Sequence, residues 1–504
     1  MKNAPIEIEI KLNASPTMLA ALESHPRLAG SGRSGRFITT YFDTPDRLLE
    51  QAGISLRIRS RAGKREQTVK VMSLPCGTVH REEWTTSLTG KMPQIETFPT
   101  PIRERLCRIL GHNDVRPTSI SRITRLTRHI QAGDSSVEVD FDSGTLAAGD
   151  QTEQVCELEL ELVEGRLCDL LRLALDLPLG PKLQWSVVSK SKRCAWRSCA
   201  NDHMERAAQE PILSEAMTVA DGFHSIGWNC LYQLLANYPL VVATGHHEAV
   251  HQCRIAIRRM RVAFDLFGQC LPESERHRLK AGIKAVGGVL GKARDLHVLH
   301  LRLMEHAGDG GAQAVLATID KAQGEATQEA GRVLASTSFQ RLLFELALGI
   351  ETGNPGNRDG DLPLGPFAAQ CLSRKRHQLV FDGPRIDALG KRGLHRLRIR
   401  AKDMRYSACF FRSLWPKSAG KSSKKPFIFC LERLQDKLGK LHDHAITSDR
   451  FPPFADNPDP IATAQIAAEL KRLLSLQNGN CEKLMRQTDD ALADVRRASR
   501  WWRA

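Results

Sequence analysis

The repeat period of the apolar residues changes once along this chain of 504 residues, and that change limits the folds open to it. From Ile6 to about Leu162, apolar and polar residues alternate with a period of two, as in a β-strand with one buried face. From about Met217 onward the period is helical. The pattern predicts an α+β multidomain chain, with a β domain at 1–203, a linker at 204–216 and an all-α domain at 217–504.

Eight segments of the β domain have the alternation and the flanking turn residues that strands require. They are 6–12, 37–42, 54–60, 67–72, 78–86, 123–130, 137–142 and 156–162. Helical patterns near 16–25 and 164–177 interrupt this series. Eight such strands predict a closed or nearly closed antiparallel barrel, or tunnel, with flanking helices.

The charged face of each predicted strand carries mostly one sign of charge. Glu7, Glu9 and Lys11 share a face of 6–12, Arg57 and Arg59 share a face of 54–60, and three carboxylates each share a face of 137–142 (Glu138, Asp140, Asp142) and of 156–162 (Glu157, Glu159, Glu161). Adjacent like charges repel, and a solvated face usually mixes signs. If the apolar faces pack outward against helices, the charges line a lumen with an acidic and a basic side.

Such a lumen is neutralised by divalent cations together with a polyanion. Carboxylates bind Mg²⁺ or Mn²⁺ as hard oxygen ligands, and Arg and Lys bind phosphate oxygens. Phosphoryl transfer uses this combination. We therefore expect Glu7 and Glu9 to coordinate metal and Lys11 to contact a phosphate.

Several separated motifs resemble the CYTH domain, the family of triphosphate tunnel metalloenzymes. IEIEIKL at 6–12 resembles the family's ExExK signature, and YFDTPDRLLEQAGISLRIR at 41–59, CELELEL at 156–162 and WSVVSKSKR at 185–193 resemble later elements in the family's order. The resemblance covers about residues 4–200. It implies an eight-stranded tunnel and metal-dependent hydrolysis of a triphosphate.

The same resemblance implies roles for individual residues. The metal ligands would be Glu7, Glu9, Glu159 and Glu161, with Glu157 and Asp140 as weaker candidates. The phosphate contacts would be Lys11, Arg57, Arg59, Lys70, Arg125 and Lys190, with Arg81 and Arg122 also considered, and Lys70, Arg57 and Lys190 would act in catalysis. The basic run holds extra arginines, which leaves open whether Arg122, Arg125 or Arg128 faces the tunnel.

The helical part repeats itself. HQCRIAIRRMR at 251–261 aligns with HRLRIRAKDMR at 395–405, and LGKARDLHV at 290–298 aligns with LGKLHDHAI at 438–446. In the first pair, eight residues form two basic stripes opposite an apolar seam: His251, Arg254, Arg258, Arg261, His395, Arg398, Lys402 and Arg405. The duplication predicts two similar helical bundles, at about 217–352 and 365–504, whose basic stripes form an anion-binding groove.

These repeats resemble the CHAD domain, a helical histidine-containing module, over about 217–504. The resemblance implies binding of inorganic polyphosphate. Each helix has one histidine among arginines, which favours phosphate over a metal ion as the ligand.

Composition limits the partners and the location. The net charge of +15 and the pI near 9.3 favour an anionic partner, while 6% aromatic residues provide few stacking surfaces for nucleic acid. The 13 cysteines form no CxxC pair, which argues against a zinc site and a redox dithiol, and their odd number fits a reducing compartment. No secretory signal and no membrane-spanning stretch are visible, so the cytoplasm is the expected location.

These patterns predict an enzyme, an inorganic triphosphatase that needs Mg²⁺ or Mn²⁺ and hydrolyses tripolyphosphate to pyrophosphate and phosphate. The helical domain would bind inorganic polyphosphate. Two alternatives stay open: a nucleoside or thiamine triphosphatase or adenylate cyclase of the same fold, and a polyphosphate-binding protein without catalysis.

Overall fold

The computed structural model describes residues 6–61, 63–72, 80–188, 205–304, 312–353, 360–380, 386, 389–415, 424–446 and 481–502. Its contacts divide the chain into two compact units. The first unit holds Met1–Ala207, Leu231–Leu240 and Leu334–Thr352, and the second holds Ala208–Cys230, Val241–Val333 and Gly353–Ala504. The domain boundaries expected from the sequence, at 203 and 217, stay predictions.

The first unit is built on one antiparallel sheet of nine described strands. They are β1 (Ile6–Ala14), β2 (Gly32–Asp43), β3 (Ile54–Arg61), β4 (Lys64–Met72), β5 (His80–Ser87), β6 (Arg116–Ala132), β7 (Ser135–Ala148), β8 (Gln151–Glu164) and β9 (Leu183–Ser186). Their order is β5-β4-β3-β2-β6-β7-β8-β1-β9. β5 also pairs with β1 over three residue pairs, so a short pairing joins the first eight strands into a ring.

The predicted eight-stranded antiparallel tunnel is therefore confirmed, and each of the eight predicted segments contains a strand, although residues 78 and 79 of the fifth lie outside the described residues. The short strand β9, which lies beside β1, was not predicted. Most of the strands extend beyond the predicted segments, and β6 reaches 17 residues because both of its neighbours pair along it.

The apolar faces of the strands point outward under helices α1 (Pro16–Glu23), α2 (Leu48–Gln51), α3 (Thr100–Leu110) and α4 (Leu167–Leu175). Helices α1 and α4 pack on β7 and β8, where Val139 and Leu160 are fully buried. Helix α3 was missed in the sequence, although its buried residues Ile102, Leu106 and Leu110 recur every four residues. Because the apolar faces are covered outside, the charged faces line the interior.

A buried aspartate shapes the turn between β2 and α2. Asp43 accepts hydrogen bonds from the backbone N–H of Leu49 and of Glu50, each at 2.9 Å. These two N–H groups belong to the first turn of α2 and have no partner within the helix. The carboxylate therefore fixes the loop that leads into β3, which carries Arg57 and Arg59.

Two further helices, α5 (Val219–Thr244) and α9 (Thr337–Glu351), contribute segments to the first unit. Trp185 of β9 stacks on Phe344 with ring centroids 4.2 Å apart. The Trp185 backbone N–H donates to Gln340 Oε1 at 3.0 Å, and the hydroxyl of Tyr238 donates to the Trp185 carbonyl. These buried contacts attach both helical segments to the edge strand of the sheet.

The second unit is helical. Its described helices, besides the ends of α5, are α6 (His247–Leu266), α7 (Glu273–Met304), α8 (Ala312–Ala335), α10 (Leu364–Val380), α11 (Lys391–Phe410), α12 (Lys424–Ile446) and α13 (Cys481–Arg497). α6 and α11 each have 20 residues, and α11 begins at 391, which is 144 residues after 247. That offset is the offset of the sequence repeat, so the repeated segments form equivalent helices.

The predicted apolar seam of the repeated helices is buried in both copies. All eight seam residues are at most 3% exposed: Ile257, Met260, Phe264, Phe267, Ala401, Met404, Ala408 and Phe411. α6 and α11 pack directly against each other. The packing orients the basic stripes of both helices.

Among the described residues, no single helix combines the length and the apolar character needed to cross a membrane. One bent pair, Val315–Ala335 with Thr337–Glu351, meets both criteria together.

Gly144 of β7 tests the close pairing of β6 and β7. A Cβ at this position would lie 2.0 Å from the backbone oxygen of Arg122, which strand pairing holds in place. We expect Gly144→Ala to lower the free energy of unfolding by about 2 kcal/mol, as overpacking does elsewhere. The thermal midpoint of the full chain, followed by circular dichroism, measures this loss.

Gly365→Ala in α10 is the control, because a Cβ there meets no atom within 4 Å. It should leave the midpoint unchanged or raise it slightly. Equal midpoints for Gly144→Ala and the wild type would contradict the observed pairing.

Candidate active site

The strand ring encloses a cavity of about 670 Å³ whose lining is rich in charge. The charged lining residues on the strands are Glu7, Glu9, Lys11, Asp43, Arg57, Arg59, Lys70, Glu83, Arg125, Glu138, Asp142, Glu159 and Glu161. Most of the site residues expected from the sequence thus lie around one cavity. Lys190 lies outside the described residues, and of Arg81 only the backbone, in β5, is described.

The charges are sorted by sign around the ring. We call the inward carboxylates of β7, β8 and β1 the acidic arc: Glu138, Asp140, Asp142, Glu157, Glu159, Glu161, Glu7 and Glu9. We call the inward cations of β4, β3 and β6 the basic arc: Lys70, Arg57, Arg59 and Arg125. Strands β7, β8 and β1 are consecutive in the sheet, so the acidic arc is continuous.

Strand register brings carboxylates directly opposite each other. Glu138 lies opposite Glu161 across β7 and β8, and Asp140 lies opposite Glu159. Glu161 also lies opposite Glu9 across β8 and β1. Like charges at such positions destabilise a sheet unless cations lie between them.

Two lysines lie between carboxylates of the acidic arc. Lys11 Nζ is 2.8 Å from Glu159 and 3.2 Å from Glu9. Lys70 Nζ reaches across from β4 and is 2.6 Å from Glu7 and 2.9 Å from Glu83 on β5. Glu83 is not among the site residues predicted from the sequence.

Arg125 is the basic-run arginine that lies in the cavity lining. Its guanidinium contacts Asp142 at 2.6 Å, Glu159 at 2.5 Å and also Asp140. Arg122 is exposed on the outer face of β6. Arg128 donates to the backbone oxygens of Glu23 and Leu28. Alternation along β6 therefore turns Arg125 inward, which the sequence left open.

The pKa values show where the arcs are unbalanced. Burial raises the pKa of Glu161 to about 7, and Glu7 and Glu9 act in the same direction. Glu161 forms no ion pair with any side chain in the described ranges. On the basic side, Arg57, burial and Arg125 lower the pKa of Arg59 to about 10. Charge is thus in local excess on both arcs.

Burial also raises the pKa of Glu7, although Lys70 opposes the shift, and raises that of Asp140 to about 6 against the pull of Arg125. Burial disfavours ionisation of Glu83 too, but Lys70 and Arg57 hold its pKa below the ordinary value.

The residues present fit a hard divalent cation. Three described carboxylates, Asp142, Glu157 and Glu159, have ligand atoms within 4.8 Å of one another. Arg125 already contacts two of them, so this group is the less suited to a metal. The carboxylates around Glu161 carry the excess negative charge, and such oxygens are the ligands that Mg²⁺ and Mn²⁺ prefer.

In the second unit the two basic stripes come together. The pKa of Lys402 on α11 is lowered to about 7 by burial and by Arg258, Arg398, Arg254 and Arg405 in that order. Two of these arginines lie on α6 and two on α11, so both repeats place cations around one lysine. The two stripes therefore adjoin, whereas the anion-binding groove stays a prediction.

Acidic partners neutralise only part of the stripes. Arg254 Nη1 is 3.2 Å from Asp295, and Arg405 Nη1 is 3.8 Å from Glu432. Arg258 and Lys402 form no ion pair with described residues. His251 is partly buried, whereas His395 and Arg261 are exposed at the margin of the stripes.

Two family models match the chain. The CYTH domain matches residues 5–194, and the CHAD domain matches residues 225–452. The first match contains the cavity-lining strands, and the second contains both basic stripes.

Among curated proteins, the inorganic triphosphatase of Haemophilus influenzae is 28% identical over 195 residues. The alignment covers 37% of this chain and 53% of that protein, so the chain spans about half the length of the relative.

Two solved structures resemble part of this chain loosely. The CHAD domain from the plant Ricinus communis is 24% identical, covers 57% of this chain and 97% of its own, and has a TM-score of 0.48. PptA from Streptomyces chartreusis is 15% identical, covers 57% of this chain and 100% of its own, and has a TM-score of 0.39.

Glu161 provides a test of charge excess in the lumen. At pH 8 its carboxylate is ionised in the folded and the unfolded chain, and ionisation costs more when folded, because the folded pKa is the higher one. Glu161→Gln should therefore raise the free energy of unfolding of the metal-free protein by about 1 kcal/mol, after allowance for solvent screening. This gain corresponds to a rise of a few degrees in the thermal midpoint.

Near pH 4 the folded carboxyl is protonated, so the difference from the wild type should vanish. Glu164→Gln, at the exposed end of the same strand, is the control and should not shift the midpoint. An unchanged or lower midpoint of Glu161→Gln at pH 8 would be evidence against the excess.

Proposed function

We propose that this chain, which carries a CYTH domain at residues 5–194 and a CHAD domain at residues 225–452, is an inorganic triphosphatase that acts on a phosphoric anhydride. It would hydrolyse tripolyphosphate to pyrophosphate and phosphate with Mg²⁺ or Mn²⁺. The observation that carries the proposal is the acidic arc facing the basic arc across one cavity. A divalent cation and a polyanion together neutralise both arcs.

Glu7, Glu9, Glu159 and Glu161 would hold the metal ion. When bound, Mg²⁺ or Mn²⁺ neutralises phosphate charge and lowers the pKa of water. Glu9 and Glu159 are at most 9% exposed, so the protein holds these carboxylates in fixed positions. Lys11 lies between them and is within reach of a phosphate oxygen on the same side of the cavity.

The basic arc would bind the phosphate groups. Arg59 is the leading contact, because it forms no ion pair with a described residue and an anion would relieve its repulsion from Arg57. Arg57 and Lys70 share Glu83, at 3.6 Å and 2.9 Å, which orients both side chains toward the cavity. In the transition state these cations would stabilise charge on the transferred phosphoryl group.

The remaining phosphate contacts rest on the family resemblance and on placement. Arg125 lines the cavity, while Arg81 and Lys190 are assigned by the resemblance alone. With Arg57 and Lys70, Lys190 would complete the catalytic set.

The cavity favours an inorganic chain over a nucleotide. Four described aromatic side chains line the cavity. Tyr41, Phe42 and Tyr232 are at most 9% exposed, and Arg59 and Arg61 lie over the ring of Phe37 at 5.3 and 5.1 Å from its centroid. A base would have to displace these guanidiniums to stack there. An adenosine group would therefore gain little, which supports tripolyphosphate over ATP.

The paired basic stripes would bind inorganic polyphosphate. Arg258 and Lys402 are partly buried cations without described acidic partners, and an anion would lower the repulsion between Lys402 and the four arginines around it. A long chain can touch both repeats at once, whereas tripolyphosphate cannot span many of the cations.

Phosphate release from tripolyphosphate, pyrophosphate, ATP and thiamine triphosphate, each with Mg²⁺ or Mn²⁺, tests the enzymatic proposal. We expect tripolyphosphate to be the fastest substrate and chelation of the metal to abolish turnover. Glu9→Gln removes one ligand charge at nearly constant volume and should lower kcat by at least about a hundredfold. Glu164→Gln is the matched control.

Normal turnover by Glu9→Gln at limiting metal would contradict the metal assignment. Faster hydrolysis of ATP at equal concentration would favour the nucleotidase alternative, and no hydrolysis of any substrate would favour a polyphosphate-binding protein without catalysis.

Arg258→Glu combined with Lys402→Glu tests the stripes in the full chain. Charge reversal should weaken binding of long-chain polyphosphate by at least about tenfold at low salt, with a smaller dependence on salt than the wild type, since fewer counterions are released. Hydrolysis of tripolyphosphate should stay near the wild-type rate. Arg486→Glu on the exposed face of α13 is the control.

Fluorescence anisotropy of labelled polyphosphate measures the affinity. Equal affinity of the double variant and the wild type would contradict the proposal, and displacement by duplex DNA at equal phosphate concentration would favour a nucleic-acid module.

A further inference from the structure

Two cations in the cavity lining do not come from a strand: Arg47, which precedes α2 and has partners of its own, and Arg206. Arg206 belongs to the segment that follows the CYTH match, and it lines the cavity together with Val187, Val188, Tyr232 and Ala236. All five residues are in the first unit. The sequence interpretation assigned Arg206 to the linker, where no motif marks it.

A buried side chain fixes the backbone of Arg206. Asn237 of α5 is fully buried, and its Oδ1 accepts from the Arg206 N–H at 2.9 Å. Its Nδ2 donates to the Arg206 carbonyl at 3.0 Å and to the Gln233 carbonyl at 2.6 Å. The side-chain amide of Asn237 thus satisfies both the backbone N–H and the backbone carbonyl of Arg206. These two hydrogen bonds fix the backbone of Arg206, as pairing with a neighbouring strand would.

The pairing of the cavity cations singles out Arg206. Lys11, Lys70, Arg57 and Arg125 each have a carboxylate within 4 Å. Arg59 and Arg206 form no ion pair with a side chain that the structure describes. When a polyanion binds a cation that already has a carboxylate partner, the existing ion pair is weakened, which reduces the gain. Arg59 and Arg206 can each donate a charge-assisted hydrogen bond without such a loss.

We infer that Arg206 is a substrate-binding residue of the tunnel, which contacts a phosphate group of the bound linear polyphosphate. The inference rests on the proposed function and extends the site beyond the sheet. Asn237 is then a positioning residue, because it acts through the backbone of Arg206. The tunnel would depend for its affinity on a segment that begins after the last strand.

Variants of the full chain test this inference: Arg206→Gln, Arg206→Lys, Asn237→Ala and, as a control, Arg105→Gln on the exposed face of α3. Steady-state hydrolysis of tripolyphosphate with Mg²⁺ gives KM and kcat. Isothermal titration with tripolyphosphate in metal-free buffer gives a Kd that does not depend on turnover. Circular dichroism and the thermal midpoint verify folding.

We expect Arg206→Gln to raise KM and Kd about tenfold, the loss of one charged hydrogen bond, with kcat within about twofold of the wild type. Arg206→Lys should recover part of the affinity because it keeps the charge. Asn237→Ala should raise KM in the same direction, and if it fails to fold, the two Arg206 variants decide.

KM and Kd of Arg206→Gln within about twofold of the wild type, with hydrolysis by the wild type intact, would overturn this inference alone. A wild type that binds tripolyphosphate through Arg206 without hydrolysing it would overturn the enzymatic proposal and keep the inference. A wild type that neither binds nor hydrolyses tripolyphosphate would overturn both.

Discussion

Repulsion among carboxylates that strand register holds face to face is the constraint on which the first unit depends. The register of β7, β8 and β1 places Glu138, Glu161 and Glu9 in one row across three strands. The strands cannot slip to relieve this repulsion, because a shift of one residue would turn Val139 and Leu160 into the lumen. Cations must therefore come to the carboxylates: Lys11 from within the arc, Lys70 from β4, and Arg125 from β6, the neighbour of β7.

The cations that neutralise the acidic arc leave one residue of each sign, Arg59 and Glu161, without an ion-pair partner among the described residues. Arg57 and burial lower the pKa of Arg59, and burial and neighbouring carboxylates raise the pKa of Glu161. Both shifts favour the neutral form of the side chain. A ligand that carries both signs, a metal ion with a linear polyphosphate, would correct both shifts together. In the second unit the imbalance has one sign only. Arg258 and Lys402, from the two repeats, lie close enough that their mutual repulsion contributes to the lowered pKa of Lys402.

Much of the fold could be predicted because one physical property, side-chain period, changes with secondary structure. Period two located eight strands and the faces of Glu7, Arg57 and Glu159, and the repeat at an offset of 144 located α6 and α11. Pairing across the ring could not be predicted, since it depends on register. The ion pairs of Glu83 on β5 with Lys70 and Arg57 are an example, because the sequence alone does not show that these strands bring the three side chains together. The sequence does not identify Arg206 as a cavity residue, because its position depends on a backbone hydrogen bond to Asn237, which lies 31 residues away in the chain.

The position of a bound metal ion tests the central claim most directly. Crystals of the full chain grown with Mn²⁺ and tripolyphosphate would show the metal by its anomalous scattering. We expect Mn²⁺ among the carboxylates of Glu7, Glu9, Glu159 and Glu161, with phosphate groups on the side of Arg57 and Arg59. Mn²⁺ bound only outside the lumen, or tripolyphosphate bound in the lumen on the acidic arc without metal, would contradict this expectation.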